Sequence, residues 1–271
     1  MREDLQETRY RSLGRSLALL GTYGRQYAKY AKLLEQHPHH PKALLCCGYA
    51  LEKMGRFEEA ITTFERVIAL QPQNALAWQG RGIALARLCQ FEDALTSFGR
   101  AIKFAPSDYR VWQNQGKTLI SLGRYRDAIE SFDQVIALQP NSYKAWYSRA
   151  LALASLNEYE SALTNVEIAL RIKPNSDYLW NYRGTVLTRL HRFAEATASF
   201  ENSLKINPKS SSAWYGSACC YALQGLTEQA LDSLEQAIQL SPSIWRTMAS
   251  TDTSLNPLQA TRRFQALVLQ P

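Results

Sequence analysis

Histidine, methionine and cysteine are scarce in this chain of 271 residues, with 4, 3 and 5 copies. The cysteines Cys46, Cys47, Cys89, Cys219 and Cys220 are odd in number and include two adjacent pairs, a spacing that forms neither an ordinary bridge nor a zinc site. We read them as reduced thiols, the usage of a cytoplasmic protein. No apolar run approaches the roughly 18–20 residues that span a bilayer. Glu3 and Asp4 precede any short apolar stretch, so secretion and a membrane span are both disfavoured. A Gly-rich phosphate loop, a paired Cys or His metal pattern and a Ser-His-Asp grouping on a turn are all missing. Those absences argue against an enzyme and imply no cofactor. The densest imidazole cluster, His37, His39 and His40, sits in one Pro-stiffened turn, which reads as solvated rather than as a metal site.

What is present is enough apolar material for a core, 46% of residues, with 13 glycines and 10 prolines, too little bias for disorder. Lys and Arg number 31 against 24 Asp and Glu, a net charge of +7. That balance favours acidic partners without reaching the density of a basic tail.

The prolines carry a period. Pro38, Pro72, Pro106, Pro140, Pro174, Pro208 and Pro242 fall 34 residues apart, and Trp78, Trp112, Trp146, Trp180 and Trp214 keep the same spacing. With proline at position 32, the units are 7–40, 41–74, 75–108, 109–142, 143–176, 177–210 and 211–244, after an extension of residues 1–6. Residues 245–271 remain as capping helices, a short one near 243–250 and a closing one near 261–269.

Each unit reads as two helices. Asn74, Asp108, Ser142, Ser176 and Ser210 are N-caps before the Trp-bearing stretch, whereas His40 is a poor cap followed by a favourable Pro41. Gly21, Gly55, Gly123, Asn157 and Gly225 at position 15 suit the left-handed residue that ends a helix, and His191 tolerates the same place. The second helix opens on acids such as Glu58, Glu59, Glu92 and Asp93 and runs until proline stops it. Small residues at positions 8 and 20 allow close approach, and the Trp and Phe stripes are expected to fill the core.

These units resemble tetratricopeptide repeats of bacterial type, clearest at Trp78, Gly82, Leu85, Ala94, Phe98, Ala101 and Pro106 and at Trp112, Gly116, Leu119, Ala128, Phe132 and Pro140. Unit 7–40 departs most, with Tyr10 and Gln26 where Trp and Ala are expected. The resemblance covers about nine tenths of the chain and implies an all-α, right-handed α-solenoid of seven helix-turn-helix units closed by a C-terminal cap. It also implies that positions 2, 5, 6, 9, 12 and 13 line a concave surface. Those positions hold Arg11, Arg15, Lys42, Lys53, Arg87, Arg110, Lys117, Lys144 and Arg189, with Glu52 as the only acid. All other positions hold 22 basic and 23 acidic residues, so the positive excess maps to one face.

Tyr49, Tyr147, Tyr178, Tyr182 and Tyr215 stand among those charges with Gln79, Gln113, Asn114 and Asn181. Stiff aromatic surfaces, amides that pair with a backbone and cations that attract carboxylates suit an acidic or extended polypeptide. The expected function is therefore a non-enzymatic scaffold for complex assembly or regulation. Two alternatives stay open: an RNA-binding helical repeat, disfavoured by the modest charge, and a regulatory module of an enzyme. The clamp by which some such proteins hold a chaperone's C-terminal carboxylate is not matched, since Gln113, Lys117, Ser148, Tyr178 and Tyr182 stand where its Lys and Asn residues are needed. Self-association through a terminal unit is a further possible contact.

Overall fold

The computed structural model describes residues 21–269, which are helical apart from the turns between helices. The extension 1–6, the start of unit 7–40 and the candidate residues Arg11 and Arg15 lie outside the described residues. Residues 21–36 belong to one helix, α1. Then follow α2 (Pro41–Lys53), α3 (Phe57–Leu70), α4 (Ala75–Arg87), α5 (Phe91–Phe104), α6 (Tyr109–Ser121) and α7 (Tyr125–Leu138). The chain divides there into two compact units, the second beginning at Gln139. It contains α8 (Tyr143–Ser155), α9 (Tyr159–Ile172), α10 (Asp177–Arg189), α11 (Phe193–Ile206), α12 (Ser211–Leu223) and α13 (Thr227–Leu240). A terminal segment of α14 (Pro242–Ala249), a 3-10 turn (Thr253–Leu258) and α15 (Arg262–Leu269) completes it.

Each even-numbered helix from α2 to α12 packs on the helix that follows it, and within each compact unit every hairpin packs on the next. The packing rests on Phe64, Phe98, Phe132 and Phe200, all at most 1% exposed, and on alanines such as Ala60, Ala94, Ala128, Ala162, Ala196 and Ala230 with no exposure. Position 8 must be small for a measurable reason. A methyl group added at Gly82 would stand 2.6 Å from Phe98 Cε1. The tryptophans differ from the core role expected of them. Trp78, Trp112, Trp146, Trp180 and Trp214 are only half-buried. Each indole N–H donates to the carbonyl of a proline six residues earlier, as from Trp78 to Pro72 at 2.8 Å and from Trp146 to Pro140 at 2.9 Å. They brace the inter-unit turn against the next helix, and phenylalanine fills the interior.

The turns obey the period more strictly than the sequence reading expected. Gly55, Cys89, Gly123, Asn157, His191 and Gly225 all have φ between 56° and 78°. Cys89, with φ 60°, is therefore a sixth left-handed helix end, whereas Gly21 is helical and has no left-handed φ. A non-glycine residue in this region carries roughly 1 kcal/mol of strain, and Cys89 is exposed. Cys89→Gly should accordingly raise stability by up to about 0.5 kcal/mol in equilibrium denaturation, glycine's freedom in the unfolded chain cancelling part of the gain. A lower unfolding midpoint would contradict it.

Capping chemistry is mixed. Asn74 accepts from the Ala77 N–H and Asp108 from the Arg110 N–H, but Ser142, Ser176 and Ser210 occupy the cap position without a side-chain cap bond. His40, expected to cap poorly, accepts from the Ala43 N–H through Nδ1 at 3.2 Å. That bond ties up one ring nitrogen in the histidine turn. Among the described residues no group of three His, Cys, Asp or Glu side chains is placed to hold a metal ion.

The arginine of the two "Trp-x-x-Arg-Gly" stretches links successive hairpins. Arg81 donates to Glu65 of α3 at 3.0 Å and to Ser97 of α5 at 2.8 Å. Arg183 repeats the geometry with Glu167 of α9 and Ser199 of α11. Arg56–Glu59, Arg124–Asp127 and Arg192–Glu195 pairs recur at the start of the second helix, so Glu59, Asp127 and Glu195 are structural partners of arginine.

Candidate functional site

In the first compact unit Lys42, Tyr49 and Lys53 lie on α2, Arg87 on α4, and Arg110, Gln113, Asn114 and Lys117 on α6. Their charge is less free than the count suggested. Arg110 grips Asp108 through Nε and Nη2 at 2.8 and 2.7 Å, and that paired hydrogen bond holds the Asp108 carboxyl below the usual carboxylate range. Lys53 lies 3.1 Å from Glu52, whose side chain is buried, so the one acid of the face is spent on its neighbour. Lys42 and Arg87 are exposed and make no ion pair among the described residues. Arg87, Asn114 and Lys117 line a cavity of about 340 Å³ together with Ile83, Ala86, Thr118 and Ser121, and no acid contributes to its wall. Tyr49 is committed to the fold. Its hydroxyl donates to the Leu76 carbonyl at 2.8 Å, its ring meets Phe64 edge-on, and burial raises its pKa. Gln79 is likewise buried, at 4% exposure.

The second compact unit brings together a cluster of tyrosines. Tyr147 of α8 meets Tyr178 and Tyr182 of α10 edge to face, with ring centres 5.3 and 5.1 Å apart. Tyr182 donates to the Ala150 carbonyl, which fixes it between α8 and α10, and burial raises its pKa. Tyr178 is the open member, 37% exposed. The cluster extends beyond the expected residues to Tyr143 and Lys173. The Lys173 ammonium lies 4.6 Å from the Tyr143 ring centre and donates to its hydroxyl, a contact that lowers the Tyr143 pKa. Lys173 lies in the turn beside Pro174, off the helix face, where helical periodicity does not reach. Lys144 and Arg189 are exposed on α8 and α10 without an ion pair among the described residues.

Tyr215 leaves the candidate surface. It is 6% exposed, stacked on Trp245 of α14 at 4.4 Å, and donates to Asp252 at 3.0 Å. The terminal segment lies across α12 because the last hairpin has no successor to cover it, and aromatic stacking is the cheapest cover for a large ring. Burial works against a charged Asp252. The Ser254 N–H and hydroxyl, the Tyr215 hydroxyl and the Cys219 thiol outweigh it and hold the carboxyl below its ordinary pKa. The Cys219 thiol is correspondingly pushed up, by burial first and by Asp252 second.

Several comparisons bear on this geometry. The tetratricopeptide repeat profile matches residues 48–109, 114–177 and 183–243. No curated protein matches the chain. Similar solved structures include YrrB, described as a TPR protein with an unusual peptide-binding site, 20% identical over 70% of this chain and 98% of its own, with a TM-score of 0.55. MamA from Desulfovibrio magneticus RS-1 is 20% identical over 63% of this chain and 96% of its own, at 0.59. PilF of Pseudomonas aeruginosa is 15% identical over 81% and 96%, at 0.66. Among the described residues no helix is long and apolar enough to cross a membrane. With 34-residue hairpins, the Gly-on-Phe contact and a matching profile over more than half its length, the chain belongs to the tetratricopeptide repeat family and has its all-α solenoid fold.

Proposed function

We propose that the protein is a non-enzymatic scaffold of the cytoplasm that holds an acidic, extended segment of a partner polypeptide on the faces of its first-in-pair helices, for assembly or regulation of a complex. One observation supports this best. Lys42, Arg87, Lys144 and Arg189 are exposed on those faces without ion pairs among the described residues, and the single acid, Glu52, is buried against Lys53. A face built only to stay soluble mixes both signs. Gln113 and Asn114 make no side-chain hydrogen bond among the described residues and can serve a peptide backbone. The peptide-binding description of YrrB agrees with such a use.

A fluorescein-labelled Asp/Glu-rich peptide should bind, with affinity falling as salt rises. Lys117→Glu combined with Lys144→Glu should weaken it roughly tenfold or more at unchanged helical circular dichroism. Undiminished binding by the double variant, or binding of single-stranded RNA in place of the peptide, would overturn the proposal.

A further inference from the structure

A cavity of about 270 Å³ lies between α10, α12 and the terminal segment. Thr185 and Arg189 of α10, Tyr215 and Cys219 of α12, and Trp245 and Met248 of α14 are among the residues that form it. Its size falls just below the roughly 300–1,000 Å³ of pockets that take whole drug-sized ligands, which points to one or two side chains. We propose that this cavity anchors one large aliphatic side chain of the bound segment, with a carboxylate beside it on that segment held by Arg189. The proposal rests on the acidic-segment reading above and deepens it.

Three features carry it. The first is a pair of unpartnered polar atoms. Trp245 stacks on Tyr215 and leaves Nε1 buried without a partner. Asn181 Oδ1, on α10, is likewise buried and unpartnered. Both residues line the cavity and are only partly buried, so an N–H donor and an amide oxygen stand unmatched among the residues that form it.

The second feature is charge. Arg189 is exposed at the rim and unpaired among the described residues, while the one carboxylate in the wall, Asp252, already accepts from Tyr215, Cys219 and the Ser254 N–H. The cation is therefore left for an incoming acid. The third is apolar surface in the lining, where Leu223 and Met248 are 39% and 46% exposed.

The test uses the full chain and two fluorescein-labelled acidic peptides, identical except that one carries a single central leucine, followed by glutamate, where the other carries serine. The leucine peptide should bind about tenfold more tightly, the expected return for burying much of one aliphatic side chain. Thr185→Trp, an exposed position at the mouth, should fill the cavity and bring the ratio close to one while the serine peptide keeps its affinity. Met248→Ser, also exposed, should reduce the ratio without blocking the cavity and guards against a misfolded Thr185→Trp protein. Equal binding of both peptides to the unaltered protein overturns the pocket and leaves the acidic-segment reading standing. A leucine preference that survives both substitutions also overturns it, and failure of both peptides to bind overturns the two readings together.

Discussion

Phe98→Ala should lower folding stability by about 3–5 kcal/mol, whereas Trp78→Ala, in the same repeat, should cost roughly 1–3 kcal/mol. Size alone would reverse that order. Phe98 has no exposed surface and lies against Gly82, whose backbone comes so close to the ring that no methyl group fits between them. A cavity left there is walled by two helices that cannot collapse without breaking their hydrogen bonds, and the cost rises with the empty volume. Trp78 is half in solvent and spends its N–H on the Pro72 carbonyl, so alanine forfeits one hydrogen bond and part of an apolar face. Chemical denaturation of the two variants measures both values. Should Trp78→Ala prove the more damaging, phenylalanine is not the interior of the hairpin.

Removing residues 241–271 should strip protection from the last hairpin and leave the earlier ones folded. Leu231, Leu234 and Ile238 of α13 are at most 4% exposed because Leu255, Leu258 and Phe264 lie in the same cluster. At about 2 kcal/mol for each of those three side chains, the loss exceeds what a single end hairpin holds in reserve, since a stacked repeat depends on its neighbours. Arg263 adds an ionic tie, reaching Glu228, Asp232 and Glu235 of α13 at 3.2, 2.7 and 2.7 Å. Amide hydrogen exchange in α12 and α13 should accelerate by about a hundredfold or more, while α8 and α9 exchange as before. Unchanged exchange in α12 and α13 would show that the terminal segment is an appendage rather than a cover.

The helix boundaries were legible because they are written in local chemistry. A proline that cannot continue a helix and a left-handed residue at position 15 recur every 34 residues, and both act through the backbone of their own turn. Cys89 obeys the rule without being a glycine. Gly21 shows the opposite limit, since its spacing is correct and the chain there is helical. Spacing nominates a turn, and only neighbouring contacts decide whether the helix stops.

The candidate site divides along the same line. The grouping of Lys42, Arg87, Lys144, Tyr147, Tyr178 and Arg189 is what the family resemblance implies, since they lie on four helices and the 3.6-residue period orders only residues within one helix. Whether each is free depends on groups distant in the chain or on an adjacent turn. Arg110 is taken by Asp108, Tyr182 by the Ala150 carbonyl 32 residues away, and Tyr215 by Asp252, 37 residues away. Sequence alone determined the repeat and its helices, because proline, cap and turn chemistry act within a few residues of the chain. The tertiary structure decided which of the candidate side chains still face solvent and created the cavity beneath the terminal segment, because burial and pairing are properties of what other helices bring into contact.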